Sequence, residues 1–140
     1  MKYSIHTCSY TQQQAGIQHV RRKVFIEEQG IDPLLEWDTQ DDDAIFAVAL
    51  NQDEDIIGTA RLLHTGKIGR MAVLPDYRRQ GIGTALLLHL LMIAKQRGHA
   101  RVTLAAQQTV TGFYIKQGFV PIGPSHVEAG IVHQNMQRTI

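Results

Sequence analysis

The most informative stretch of the chain reads Met71-Ala72-Val73-Leu74-Pro75-Asp76-Tyr77-Arg78-Arg79-Gln80-Gly81-Ile82-Gly83-Thr84. An apolar strand ends at Pro75, a short polar loop with two arginines follows, and two glycines open a long helix. The free N–H groups at the start of a helix, together with the helix dipole, bind anionic oxygen. Glycine removes the Cβ that would hold a phosphate away from the backbone. The stretch therefore predicts an anion site where the helix begins.

Two well-known phosphate motifs do not fit this stretch. The dinucleotide fingerprint needs a third glycine where Leu86 stands, and no suitable acidic residue ends the next strand. A P-loop needs Gly-Lys followed by Ser or Thr, whereas Gly66-Lys67 is followed by Ile68. Two glycines alone are more often a tight strand-to-helix turn without a ligand. The strand, the arginines and the helix together favour the anion site.

Apolar periodicity on both sides of this stretch predicts the other elements. A capping-box spacing at Thr11 precedes a helix that Gly30 ends, and Thr109 is predicted to cap a short helix. The order is β-α-β-β-β-α-β-α-β-β, which predicts an α/β protein with a mixed sheet and helices on its faces. The strands are predicted at 2–7, 44–50, 56–63, 68–74, 101–106, 119–122 and 131–138, and the long central helix at 80–97.

Composition limits the class of protein and its partners. The chain has 140 residues, 44 % of them hydrophobic and 19 % charged, with a net charge of +1. We expect one domain over 1–140, neither disordered nor fibrous, with no nucleic-acid or membrane partner. One cysteine, Cys8, excludes a disulfide scaffold, and no signal core or membrane span is evident, so a soluble cytoplasmic protein is predicted. The seven histidines lack metal-ligand spacing, so no metal is expected.

The chain resembles the GNAT superfamily of acyl-CoA-dependent N-acyltransferases. Arg78-Arg79-Gln80-Gly81-Ile82-Gly83 fits the R/Q-x-x-G-x-G/A signature that starts the family's central helix, and 112–119 fits its F/L-Y-x-x-x-G-F segment. The segments 24–29 and 128–133 resemble the ElaA/YjcF-like branch. The resemblance implies a GNAT-like fold, which is a single central mixed β-sheet of about six or seven strands, flanked by helices and splayed between two parallel strands.

The resemblance also implies where acetyl-CoA binds as a co-substrate. Backbone N–H groups of 79–84 would hold the diphosphate, and the backbone of 71–73 would pair with the pantetheine arm. Gln107 stands where many members carry an asparagine that contacts the cofactor. The implied cofactor-binding residues are Met71, Ala72, Val73, Arg78, Arg79, Gln80, Gly81, Ile82, Gly83, Thr84, Gln107 and Tyr114.

Acetyl transfer to an amine poses two proton problems. The amine must be neutral, although an alkyl ammonium resembling lysine has a pKa of about 10.4, and the departing thiolate benefits from a proton. Tyr114 matches the family tyrosine that acts as the general acid, and the resemblance offers the Val73 N–H as an oxyanion donor. For the general base, Glu28 and His133 are the candidates, and Glu27 is more simply a solvated surface residue.

Two charged stretches allow a structural and a functional interpretation. Glu36, Trp37 and Asp38 would line the acceptor mouth and favour a cationic amine. The run Asp41-Asp42-Asp43 is predicted to be a solvated loop, and Arg21-Arg22-Lys23 the exposed side of a helix.

The leading prediction is an N-acetyltransferase that passes the acetyl group of acetyl-CoA directly, in a ternary complex, to a primary amine of a small molecule or peptide. The alternative is a non-catalytic CoA-binding or acyl-CoA-binding sensor or regulatory module with the same fold. A third hypothesis is a structural interaction module with an empty cleft. A homodimer is a further expectation, because dimers are common in families that resemble this one.

Overall fold

One mixed sheet runs through the computed structural model, which describes residues 2–140. The strands are β1 (Ser4–Ser9), β2 (Ile45–Leu50), β3 (Ile56–Leu62), β4 (Lys67–Val73), β5 (Arg101–Gln107), β6 (Val120–Pro121), β7 (His126–Glu128) and β8 (Ile131–Thr139). Their order in the sheet is β1-β2-β3-β4-β5-β8-β6, with β7 paired to β8 outside that path. All neighbouring pairs are antiparallel except β4 and β5, which are parallel.

Four α-helices connect these strands among residues 2–140. The α-helices are α1 (Gln14–Arg21), α2 (Pro33–Glu36), α3 (Ile82–Gln96) and α4 (Thr111–Lys116). Three short 3-10 helices lie at Thr39–Asp43, Pro75–Tyr77 and Gln108–Val110. Within residues 2–140, no helix combines the length and the apolar character that a membrane crossing requires.

Two apolar layers hold helices to the two faces of the sheet. Phe46 and Val48 of β2 belong to a buried cluster with Ile17 of α1, whereas Ala47 and Ala49 belong to a cluster with α3 residues such as Leu90. Successive side chains of a strand point to opposite faces, so one strand contributes to both layers. Cys8 lies in the α1 layer as a small buried residue.

The mixed sheet and the order of its elements confirm the sequence prediction, but the sheet has eight strands rather than six or seven. The additional strand is β7, which forms a short hairpin with β8 through the register pair Val127 and Val132. Its three residues are largely exposed, so no apolar alternation signals them in the sequence.

Both predicted threonine caps are wrong. Among the described residues, α1 begins after Gln13 and α4 after Val110, each without a side-chain cap. The Thr11 hydroxyl instead lies 3.3 Å from the hydroxyl of Ser9, in the turn before the helix. A capping-box spacing therefore marks the approach to α1 here but not its first turn.

The first helix does not stop at Arg21. It continues as a π-helix over Arg22–Glu28, and Gly30 follows with a left-handed φ of 71°. A π-helix is rare and frequently occurs at functional sites. Here the π-helix contacts β4, and Glu28 near its end pairs with Arg78.

Candidate active site

The parallel strands β4 and β5 separate after a short pairing. Only Lys67 with Thr103 and Ile68 with Leu104 form register pairs between them, although each strand has seven residues. A cavity of about 830 Å³ occupies the gap beyond these pairs. Because parallel strands share the direction of their carboxyl ends, the elements that follow both strands meet at this cavity. The predicted splay is thereby confirmed.

The start of α3 forms one wall of the cavity. Gly81 precedes the helix with a φ of 83°, and the first helical hydrogen bond joins the Ala85 N–H to the Gly81 carbonyl at 3.0 Å. The amides of Ile82, Gly83 and Thr84 therefore have no acceptor within the helix, and all three residues line the cavity. These orphan amides fit an anionic oxygen, as the sequence predicts.

The two arginines of the preceding loop have different partners. Arg78 donates from Nε to the Val73 carbonyl at 2.9 Å and from both terminal nitrogens to the Glu28 carboxylate at 2.7 and 2.8 Å. Arg79 is exposed, has a left-handed φ of 63° and lines the cavity. Gln80 is exposed and stands outside the cavity wall that the described residues form.

A β-bulge distorts β4 beside the cavity. Arg61 of β3 pairs with Gly69 and Thr59 pairs with Ala72, so two residues of β4 oppose one residue of β3. The bulged residue Arg70 has a φ of 49°. Just beyond the bulge, the Leu74 N–H donates to the Ile57 carbonyl of β3 at 2.9 Å. Since successive amides of a strand alternate in direction, the Val73 N–H faces the cavity.

Tyr114 of α4 reaches the same region. Its hydroxyl lies 3.9 Å from the Met71 sulfur, and its ring packs edge-on against Phe113 and Phe119. Burial raises the pKa of the Tyr114 phenol to about 12. The phenol therefore stays protonated at neutral pH and has a hydrogen to donate, since a thioether is only a weak acceptor.

The two candidate bases differ in their surroundings. The Glu28 carboxylate is held by Arg78, whose hydrogen bonds lower the pKa of Glu28. His133 lies in β8 opposite Gln107, lines the cavity, and places Nδ1 2.8 Å from the Ile131 carbonyl. A carbonyl only accepts, so Nδ1 carries the hydrogen and Nε2 of the neutral ring keeps its lone pair.

A hydrogen bond between two glutamines spans the cleft. Nε2 of Gln107, at the end of β5, donates to the side chain of Gln29 at 2.8 Å. Gln29 follows Glu28, which binds the loop after β4. The end of the π-helix is thus linked to the carboxyl ends of both separated strands.

Charged residues on the α1 side contradict two predictions made from the sequence. Arg21 is fully buried and donates to Glu36 and Asp41 at 2.8 Å each. Arg21 is therefore not on an exposed side of the helix, and Asp41 is not part of a solvated loop. These side chains can be buried because their opposite charges are paired and hydrogen-bonded, which offsets the cost of removing them from water.

The residues predicted to line the acceptor mouth are only partly available to bind a cationic amine. Glu36 and Asp38 line the cavity, but both are paired with arginines, and Trp37 packs under Arg21 with 5.1 Å from guanidinium carbon to ring centroid. Arg61 lines the cavity as well, and no sequence signal points to it. The burial of Arg21 did have a signal, since it is four residues after Ile17 on the apolar face.

The chain is similar in sequence to known proteins. The family model described as the acetyltransferase (GNAT) domain matches residues 7–140. A Bacillus subtilis (strain 168) protein whose name includes the word acetyltransferase is 34 % identical over 125 residues, which cover 85 % of this chain and 84 % of that protein. YjcF, named as an N-acetyltransferase of the same organism, is 28 % identical over 123 residues, 86 % of this chain and 88 % of YjcF.

The likeness extends to solved structures. The crystal structure of an acyl-CoA N-acyltransferase from Pseudomonas aeruginosa superimposes with a TM-score of 0.87 and 26 % identity. The superposition covers 99 % of this chain and 100 % of that one.

Proposed function

The chain belongs to the GNAT family of acyl-CoA N-acyltransferases, and from this premise we propose that it transfers the acetyl group of acetyl-CoA to a primary amine. The transfer is direct, within a ternary complex of protein, acetyl-CoA and acceptor. The observation that carries the proposal is the cavity between the separated ends of β4 and β5, with the orphan amides of α3 at its wall. Membership of this family favours catalysis over a sensor that only binds CoA.

Acetyl-CoA fits the residues that surround the cavity. The amides of Ile82, Gly83 and Thr84 would hold the diphosphate, because the start of a helix offers unpaired N–H groups and a partial positive charge. Arg79 would add positive charge, whereas Arg78 is engaged by Glu28 and the Val73 carbonyl. The thioester supplies an activated acetyl group to the exposed edge of β4.

Three residues are proposed to assist the transfer. The Val73 N–H, which faces the cavity, donates to the acetyl carbonyl oxygen as negative charge develops there. The Tyr114 phenol donates its proton to the departing thiolate. The Nε2 atom of His133 accepts the proton of the acceptor amine, either directly or through a water molecule.

His133 is the preferred base because of the contacts that surround the two candidates. Glu28 has a lowered pKa and two hydrogen bonds from Arg78, so its carboxylate has little tendency to take up a proton. The Ile131 carbonyl orients the His133 ring and leaves Nε2 available. We assign to Glu28 a positioning role, which is to hold Arg78 against the edge of β4.

Thiol release tests the proposed activity. The purified protein is incubated with acetyl-CoA and a panel of primary amines, and free CoA thiol is measured over time. Amine-dependent thiol release, with the acetylated amine identified by mass spectrometry, is the expected result. Tight CoA binding without thiol release for any amine would support the sensor instead.

A cytoplasmic location and a homodimer stay predictions.

A further inference from the structure

Two arginines, Arg61 and Arg70, line the cavity and do not use all of their N–H donors. Arg61 is only 5 % exposed, and all the hydrogen bonds that the structure shows for its guanidinium leave from Nη1. Those of the Arg70 guanidinium leave from Nη2. The Nε atom of Arg61 is buried without an acceptor among residues 2–140, whereas the Nε atom of Arg70 lies 3.5 Å from Oε1 of Glu36. A buried donor without an acceptor is an exception in folded proteins and needs a reason.

The acidic residues nearby are already neutralised. Asp41 lies 2.8 Å from Arg21 and 3.0 Å from Arg61, and Glu36 lies 2.8 Å from Arg21. Both acids are about 3 % exposed, so no ligand cation can replace their arginine partners without opening the core. A cationic amine therefore finds no free carboxylate among these two.

Asp38 is the accessible carboxylate of the group. It is 27 % exposed and lies 2.9 Å from Arg61 and 3.1 Å from Arg70. The two guanidinium groups thus already hold one planar carboxylate at the cavity wall. Lys67, which also lines the cavity, is exposed and adds a further positive charge.

We propose that the acceptor is an amine that also carries a carboxylate, and that Arg61 and Arg70 bind this carboxylate beside or in place of Asp38. The inference rests on the proposed acetyl transfer and names the class of its second substrate. Guanidinium groups suit this role because their planar forks match carboxylate geometry. The acceptor is thus an amino acid or a related amino carboxylate.

The strand geometry limits, but does not fix, the distance between the amine and the carboxylate of the acceptor. Arg70 precedes Val73 by three residues, which corresponds to at most about 10 Å along the bulged strand. The arginine side chain spans part of that distance, so amino acids that present either an α-amine or a side-chain amine come within range. A test panel therefore has to include both.

Binding to the CoA complex tests the inference without turnover. The probes are N-acetylglycine, Nα-acetyllysine and Nε-acetyllysine, each beside its carboxamide, which lacks only the negative charge. Affinity for the CoA-saturated protein is measured by calorimetry or ligand-observed NMR. We expect at least one acid to bind tenfold or more tightly than its carboxamide. Equal binding within every pair, or no binding of any acid, would overturn the inference.

Two substitutions give effects of opposite sign. Asp38→Asn keeps a side-chain oxygen for the Gln40 N–H but removes the competing charge, so the preference for the acid over the carboxamide should rise. Arg70→Gln should abolish the preference, and Arg70→Lys should restore part of it. Arg101→Gln, at the exposed far end of β5, is the control and should change nothing. A fall in preference with Asp38→Asn would contradict the inference.

The kinetic outcome separates this inference from the proposed function. Thiol release with cadaverine that equals or exceeds release with lysine, from which cadaverine differs by the carboxylate, would refute the acceptor class and leave the transferase intact. Failure to release thiol with any amine, together with normal CoA binding, would refute the transferase itself.

Discussion

Tyr114 is the single side chain on which proton delivery depends in the proposed mechanism. Replacement by phenylalanine keeps the packing against Phe113 and Phe119 but removes the donor near Met71. General acids contribute about 100-fold or more to such steps, so we expect kcat to fall by about that factor. The dissociation constant of acetyl-CoA should stay within about twofold. Unchanged turnover would remove Tyr114 from the mechanism.

The pH dependence follows from the same residue. Burial raises the pKa of Tyr114 to about 12, so the phenol stays almost fully protonated up to about pH 10. The rate should therefore not decline from loss of this proton between about pH 7 and pH 10, where an ordinary tyrosine begins to ionise. A rate profile with saturating substrates checks this. A tyrosine-dependent alkaline decline in that range, absent in Tyr114→Phe, would contradict the assignment.

The two candidate bases give separable predictions. His133→Gln should lower kcat/KM by about 10- to 100-fold, because the amide lacks the ring nitrogen that accepts the amine proton. Glu28→Gln should have a smaller effect on kcat/KM and act mainly through the loop that Arg78 holds. The reverse pattern, with the larger loss in Glu28→Gln, would make Glu28 the base.

The start of α3 is the element that the proposed diphosphate site requires. Gly81→Asp and Gly81→Asn place nearly the same shape at a left-handed φ of 83° and differ in charge. We expect Gly81→Asp to bind CoA about tenfold or more weakly than Gly81→Asn, because a carboxylate there repels phosphate. Gly98, at the other end of the helix with a φ of 87°, is the matched control site.

Gly98→Asp imposes the same backbone strain as Gly81→Asp, at a place where a new Cβ meets no atom within 4 Å. It should cost some stability and leave CoA affinity unchanged. Calorimetric titration with CoA measures all three variants. Equal affinities of the two Gly81 variants would show that the diphosphate binds elsewhere.

At the level of elements, the sequence predicts what is locally encoded. The long α3 and the strands β2 to β5 follow from apolar periodicity, and Gly98 marks the helix end by its left-handed backbone. Apolar periodicity does not predict where α1 and α4 begin, because contacts in the preceding turns set those helix starts. It does not predict β7 either, because β7 lies in the exposed hairpin with β8. The π-helix has no distinct periodic signal either, since its seven residues continue the pattern of α1.

At the level of the whole molecule, one buried ion cluster joins α1 to the segment before β2. Arg21→Ala should destabilise the protein by about 3–5 kcal/mol, because Glu36 and Asp41 would remain buried without this counter-ion. Its neighbour Arg22 is exposed and also lies over Trp37, so Arg22→Ala is the matched control and should cost about 0.5 kcal/mol or less.

Urea unfolding measures both variants through the midpoint of the transition at constant slope. Equal destabilisation would mean that the packing on Trp37, not the ion cluster, carries the effect.

The assembly of the site across the whole chain is the part that sequence reasoning reaches least. Arg61 and Asp38 are 23 residues apart and Arg78 and Glu28 are 50 apart, so no local pattern couples them. The proposed anion site at 78–84 is different, because strand, loop and helix start are contiguous in the sequence. A site of this kind can be predicted from a local pattern, whereas the charge pairs at the cavity depend on the folded chain.

A crystal structure of the complex with CoA tests the central claim most directly. It should place the diphosphate oxygens within hydrogen-bonding distance of the amides of Ile82, Gly83 and Thr84, with the pantetheine arm between β4 and β5. A CoA molecule bound at another surface, with those amides facing only solvent, would contradict the account.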